Sequence, residues 1–277
     1  MLKPYQPARV LASLCNPQTF QAVFYSMITD RINPGRGRAD GKRRAQAFTL
    51  VELLVAITLL GILFSLLGPV LVQAKNKARE LQCLNHTRNL AVAHALYSAD
   101  HGDHLLPHAV FRPAPPNALV PNAQMTFWPD LLETYVGDRR IFRCPCMKCD
   151  PERGLGYGLN LTVAGAFLVS NEYRAPHESE IRHPGQTILL GDAAFITRET
   201  MFLPPAQWQE DTTRPIGSWT IRSPVDPLWN WAPTRLMPRH HHRANAAFVD
   251  GHAESLTIEQ LGFERPLGHP KNWWDRY

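Results

Sequence analysis

The chain has 277 residues and a formal net charge of +5, a length that suits one globular domain with an N-terminal extension. The charge is unevenly placed: residues 1–47 hold eight Lys or Arg against two Asp, leaving 21 basic and 22 acidic residues in the rest. A near-neutral remainder excludes a phosphate-binding surface, so no nucleic-acid partner is expected.

In chain order, Leu11 to Met27 is fairly apolar, and Met27 offers a second start that would shorten the basic leader to 21 residues, 27–47. Arg31, Arg36, Arg38, Lys42, Arg43 and Arg44 then precede an apolar run. From Leu53 to Ala74 there are 22 residues without a charge. About 20 apolar residues span a bilayer as a helix. The basic cluster before the run predicts a cytoplasmic N-terminus, with everything after Lys75 outside. A cleaved secretory signal has a shorter apolar core and a small-residue cleavage site after it, whereas here Lys75, Lys77 and Arg79 follow. Glu52 lies at the edge of the run, where an unpaired acid costs at least ~2.5 kcal/mol on insertion scales.

The residues Phe48-Thr49-Leu50-Val51-Glu52-Leu53-Leu54-Val55-Ala56 resemble the N-terminal signature of type IV pilins and type II secretion pseudopilins. The resemblance implies cleavage by a prepilin peptidase between Ala47 and Phe48, where the family usually has Gly before the cut. It implies methylation of the Phe48 amine. It also implies that Glu52 pairs with the N-terminal amine of a neighbouring subunit during assembly. The partners that follow are the peptidase, copies of this chain, other pilin-like subunits and an inner-membrane assembly platform. The implied location is the bacterial inner membrane, single-pass, with the C-terminal domain periplasmic or extracellular, and then a filament.

Beyond the run, Ala78, Leu81, Leu84, Ala91, Val92, Ala95, Leu96 and Ala99 fall on one side of a 3.6-residue helix, with Asn85 and Arg88 interrupting. Cys83, Leu90 and Tyr97 form a narrower seam spaced by seven. One helix is expected from Phe48 to about Asp100, about 80 Å long at ~1.5 Å per residue. Gly68-Pro69 should kink it, and two separate helices are the alternative. The organisation expected is a leader over 1–47, a membrane and assembly helix over 48–74, its soluble continuation over 75–100, and an exported head over 101–277.

The helix should stop at Asp100-His101-Gly102-Asp103, with Gly102 as the terminator. A short helix is expected near Pro129, within Phe127–Tyr135. Thr187-Ile188-Leu189-Leu190-Gly191-Asp192 reads as a buried strand. Asp250-Gly251 between Ala246–Val249 and His252–Thr257 is a hairpin signal. The Pro-rich stretches 107–121 and 202–238 read as loops. The fold class is therefore α+β: a long N-terminal helix packed on an antiparallel β-sheet head. His240 followed nine residues later by Asp250-Gly251 resembles the C-terminal motif of a pilin-like bacterial family named for that spacing. Phe142-Arg143-Cys144-Pro145 and Gly156-Tyr157-Gly158-Leu159-Asn160 are similar to segments of the same family.

Two clusters carry candidate chemistry. Cys83, Cys144, Cys146 and Cys149 are an even set in an exported domain, where disulfides persist. Cys83 with Cys144 and Cys146 with Cys149 is the pairing expected first. The alternative is a zinc site on the tight Cys144-Pro145-Cys146-Met147-Lys148-Cys149 spacing, completed by Cys83. The second cluster is His240-His241-His242 with Asp250 and His252. His240, Asp250 and His252 suit zinc, and oxygens from Asp100, Asp103 or Asp192 would favour calcium. The structural alternative has Asp250 holding the turn and His240 bonding a backbone carbonyl.

No nucleophile elbow or phosphate loop is visible, and an enzyme is not expected. Trp229, Trp231, Trp273 and Trp274 are read as core, with a binding surface as the alternative. The sequence thus describes a structural subunit of a type II secretion pseudopilus or type IV pilus-like filament. A membrane-tethered adhesin or docking head that does not polymerise is the alternative, and a tethered metal-dependent enzyme the second.

Overall fold

The computed structural model of the chain describes residues 49–147, 154–164, 175–224, 226, 228–262, 265 and 269–275. The chain divides into two units, 1–61 and 62–277. Helix α1 runs Leu50–Asp100 as one element with Pro69 inside it, so the two-helix alternative is not the one adopted. Its large apolar side chains from Leu50 to Val72 are exposed, and its first buried residue is Cys83.

The buried face of α1 differs from the broad stripe expected. Leu81, Val92 and Leu96 are exposed, whereas Cys83, Thr87, Leu90, His94 and Tyr97 are buried. These five alternate at spacings of four and three, the narrow heptad seam of a helix that keeps one face on its neighbour. Thr87 and His94 can sit there because their polar atoms have partners. The Thr87 hydroxyl donates to Cys83 O at 3.0 Å, and His94 Nε2 accepts from the Leu106 N–H at 3.2 Å. Ranking residues by hydrophobicity alone placed Leu inside and His outside, which is how the seam was underestimated. At the C-terminus Gly102 adopts φ +65° and the Asp103 N–H bonds Ser98 O at 2.9 Å, the 6→1 bond of a Schellman motif.

A two-stranded ladder pairs β1 (Ala109–Val110) with β2 (Thr126–Phe127), and the short helix α2 (Trp128–Leu132) follows with Pro129 in its first turn. The main sheet is built from β3 (Tyr157–Asn160), β4 (Ile188–Phe195), β5 (Thr220–Ile221), β6 (Thr234–Leu236), β7 (Arg243–Phe248) and β8 (Ala253–Thr257), in the order β5-β3-β4-β7-β8. All pairings are antiparallel except β3 with β5. A short helix α3 (Leu161–Ala164) leaves the end of β3. The expected hairpin is β7–β8, turning through Asp250 and Gly251, the latter at φ +91°.

Strand β4 is the axis of the sheet. Its first half pairs with β7, Gly191 opposite Ala246, and its second half pairs with β6, Ala193 opposite Leu236. Asp192 sits where the partner changes. The stretch expected to be a loop over 202–238 thus contributes two strands. Their lengths of two and three residues are too short to leave a periodic signal.

Successive residues of the sheet face opposite sides, and both sides are covered. Leu189, Ala247 and Val249 join Leu90, Tyr97, Trp128, Leu132 and Phe142 in the core against α1. Ala244, Ala246 and Phe248 join Ile188, Trp208, Leu236 and Trp274 in a second core. Two-sided burial explains why β4 reads as a continuous apolar run. The tryptophans mostly pack. Trp208 and Trp229 hold the buried Arg235 guanidinium at 4.6 and 3.8 Å from their ring centroids, and Trp231 is exposed.

Burial of His94 works against its charged form and lowers its pKa to about 4. An unfolded imidazole titrates near ~6.5. Between those values the unfolded chain takes up a proton that the folded chain refuses, so stability is present above pH ~6.5 and falls as pH drops toward 4, by about 1.4 kcal/mol per unit for this group. Thermal unfolding of the full chain in detergent at pH 7, 6 and 5 should show that slope. His94→Gln keeps an acceptor for Leu106 and should make the slope shallower, leaving the share of the buried His108, which burial lowers to about 3; an unchanged slope would remove His94 from the account.

Candidate functional site

The N-terminal motif and the head carry separate candidates. At the start of α1, the Glu52 N–H donates to Thr49 Oγ1 at 3.2 Å, while Glu52 Oε2 accepts from the Thr49 N–H at 2.9 Å and from its hydroxyl at 2.8 Å. This is a reciprocal capping box, with Thr49 at the cap and Glu52 three residues on. Sequence reasoning assigned Glu52 only to assembly and missed this local bond, although Thr-x-x-Glu is its signature. Ala47 and Phe48 lie outside the described residues.

In the head, one cluster draws on three elements and two connecting segments. Cys83 comes from α1, Asp192 from β4, Tyr157 from β3 and Cys144 from the chain after a 3-10 turn at Arg139–Phe142. His240 comes from the β6–β7 connection. Cys83 and Cys144 are buried with their sulfurs 3.1 Å apart, and Tyr157 Oη donates to Cys83 O at 3.3 Å. Cys83, Cys144 and Cys146 are all free thiols. The expected disulfides are therefore not formed here, and Cys149 lies outside the described residues. What the structure confirms is the neighbourhood: Cys83 and Cys144 meet across the core.

His240 is placed by strain. Its N–H bonds Arg243 O at 3.0 Å and the Arg243 N–H bonds back at 2.9 Å, closing a two-residue turn through His241 and His242. Those residues sit at φ +50° and +63°, the left-handed region that a type I′ turn needs and that side chains disfavour. The turn drives the His240 ring inward. Its Nε2 lies 3.1 Å from Asp192 Oδ2, an ion-pair distance off the line of an ideal hydrogen bond. Asp192 is fully buried. The same Oδ2 accepts from the Asn245 N–H at 2.8 Å, and Oδ1 has no hydrogen-bond partner among the described residues.

Next to His240, the buried Arg239 guanidinium donates to Ala193 O at 2.6 Å and Gly156 O at 3.1 Å, and pairs with Glu210 at 2.7 Å. Burial opposes its charge, but Glu210 and Cys144 hold it protonated. Burial also opposes the His240 imidazolium, yet Asp192 and Cys144 outweigh it and raise the group to about 9. The Asp192 carboxyl is pushed up by burial, only partly offset by His240. Cys144 is drawn well below the ordinary thiol range because Cys146 and Cys83 donate to its sulfur; those two thiols are raised in turn. The arrangement is a buried cysteine sulfur close to two further cysteine sulfurs, an imidazole and a guanidinium.

The sequence-based ligand set does not assemble. His240 precedes β7, whereas Asp250 and His252 lie past its far end, about 20 Å away at ~3.3 Å per strand residue. Asp250 Oδ1 accepts from the His252 N–H at 3.1 Å and contacts its Nδ1, both side chains half exposed, so Asp250 shapes the turn. His240 belongs instead with Asp192, Cys83, Cys144 and Cys146. Asp192 had entered the reading only as an oxygen donor; Arg239 and Glu210 had not entered it. An acid at the end of the apolar run Ile188–Leu190 was the signal that could have found the first.

The model of the prokaryotic N-terminal methylation motif matches residues 42–68. No curated protein and no solved structure matched the chain. The motif is of the prepilin type, and it runs into a helix long and apolar enough to cross a membrane. Together they support a membrane-anchored, single-pass pilin-type precursor, the class of protein that a prepilin peptidase processes.

Gly156 sets how closely Cys144 approaches the sheet. A Cβ there would lie 2.5 Å from Cys144 Cβ and 2.6 Å from its backbone nitrogen. Gly156→Ala should destabilise the head by about 1–3 kcal/mol, the usual cost of overpacking. It should also speed alkylation of Cys83 and Cys144 in the native protein. Unchanged thermal unfolding and unchanged alkylation would show that the segment shifts freely.

Proposed function

We propose that the chain is a structural subunit of a type II secretion pseudopilus or type IV pilus-like filament. It enters the membrane as a precursor, is cut between Ala47 and Phe48, is methylated on the Phe48 amine, and assembles through α1. The observation that carries this reading is the methylation motif at 42–68 leading directly into an apolar helix whose large apolar side chains from Leu50 to Val72 are exposed. Apolar surface on that scale requires lipid or the same segment of other subunits. In lipid, Glu52 is costly unless charge or hydrogen bonds compensate it. The capping box supplies hydrogen bonds within the chain, and the free amine of an adjacent mature subunit supplies the charge.

The cap and the charge separate experimentally. Glu52→Gln keeps an N3 side chain able to close the capping box but removes the charge; Glu52→Ala removes both. Both variants should insert into the membrane, and both should fall at least ~10-fold in the sheared filament fraction, equivalent to about 1.4 kcal/mol. Wild-type incorporation of Glu52→Gln would reduce Glu52 to a helix cap. Mass spectrometry of the mature wild-type chain should find N-methyl-Phe48 at its N-terminus; an unprocessed chain in filaments would overturn the processing step.

A further inference from the structure

We propose that the head holds a soft divalent cation, Zn2+ by its chemistry, on Cys83, Cys144, Cys146 and His240, with Asp192 beside the imidazole as a positioning residue. The site is independent of how the N-terminus is processed. Ligand atoms of Cys83, Cys146 and His240 lie within 4.8 Å of one another, and so do those of Cys144, Asp192 and His240. Cys83 and Cys144 touch at 3.1 Å. Ligands about 2.0–2.3 Å from a common tetrahedral ion stand about 3.5–3.8 Å apart, so each triad can close on an ion after shifts of up to about one ångström, and the shared His240 with the Cys83–Cys144 contact brings the three sulfurs and the imidazole to the same place. Three sulfurs and one imidazole are a Cys3His set, which selects zinc over calcium.

A disulfide accounts for less of the site. A Cys83–Cys144 bond would use two sulfurs and leave Cys146, the buried His240–Asp192 pair and the unpartnered Asp192 Oδ1 without a purpose. A zinc ion takes all three sulfurs and the His240 imidazole, with Asp192 beside the ring. A ligating His ordinarily has a carboxylate nearby to orient its ring, and here the carboxylate is already in place, fixed by the Asn245 N–H. Three thiolates and one dication leave a net negative charge in a buried place. The Arg239 guanidinium, anchored on the carbonyls of Gly156 and Ala193, stands next to it. The strained His241–His242 turn has the same explanation, since it holds His240 in the ligating position. Entry is open: a recess of ≈ 260 Å³ lined by Asn76, Arg79, Glu80, Cys146, Arg239 and His240 leads from solvent to the cluster.

The test uses the full chain purified in detergent with a tag free of histidine. Elemental analysis should find about one zinc per chain. After reduction and chelation, Co2+ should restore a sulfur-to-cobalt charge-transfer band and the intense visible bands of a tetrahedral ion. Cys146→Ser and His240→Gln should each weaken Zn2+ in chelator competition by at least ~10-fold, and His252→Gln should not. The wild-type cobalt spectrum does not depend on any variant folding. A reduced wild-type chain that takes up no Co2+, with Cys83 bonded to Cys144 in the untreated protein, would overturn the proposal in favour of a disulfide. Undiminished affinity in both Cys146→Ser and His240→Gln would place the metal elsewhere and overturn it equally.

Discussion

Burying the Asp192 carboxylate at the point where β4 exchanges one neighbour for another organises the head. A carboxylate removed from water must be met by donors or positive charge. The fold supplies a backbone N–H from β7 and the imidazole of His240. To deliver that ring, the connection from β6 to β7 ends in a tight two-residue turn, through left-handed backbone at His241 and His242. The same connection carries Arg239, whose guanidinium ties β3 and β4 together through their carbonyls and reaches Glu210. The buried acid thus ties β4 to β7 and to the strained turn, and Arg239 beside it ties β4 to Gly156, the residue that admits the cysteine-bearing segment to the core.

The long helix is divided by what covers it. From Leu50 to Val72 its apolar side chains are exposed, and from Cys83 onward a heptad seam is buried. The seam is unusually polar for a core face. Thr87 and His94 belong there because each meets a backbone partner, and a satisfied polar group costs little to bury. In the exposed half Thr58 and Ser65 return their hydroxyls to the carbonyls of Val55 and Ile62, which leaves an apolar surface suited to lipid or to its own copies. The methylation motif lies in that half, so the signal for processing and the need for an external partner coincide in one stretch of chain.

The C-terminal end of α1 was legible because it is local, Gly102 being the terminator, whereas the equally local Thr49–Glu52 cap was overlooked because Glu52 was assigned to assembly alone. The β7–β8 hairpin was legible as a local feature too, since Asp-Gly in a tight turn is decided by the backbone of two residues. The core face of α1 was not, because hydrophobicity ranks Leu81 and Leu96 above His94, while the backbone donor at Leu106 that rewards His94 is twelve residues away. Strands β5 and β6 were invisible, as two or three residues cannot show a period. The cysteines were recognised as a set, and the meeting of Cys83 with Cys144 was expected correctly as a neighbourhood. His240 was read with Asp250 and His252, whereas the structure sets it beside Asp192 and the cysteines, since the strand between His240 and Asp250 carries the two apart.

By itself the sequence determined that the chain carries a prepilin-type N-terminus, an apolar helix of membrane length and a mixed head with a C-terminal hairpin. All of these are written in contiguous residues: a charge cluster, an uncharged run, a turn dipeptide. Only the tertiary structure decided that Cys83, Cys144, Cys146, Asp192 and His240 share one buried place. Their separations along the chain run from two residues to more than 150, and contacts at that range follow from strand order and register, which no local propensity encodes.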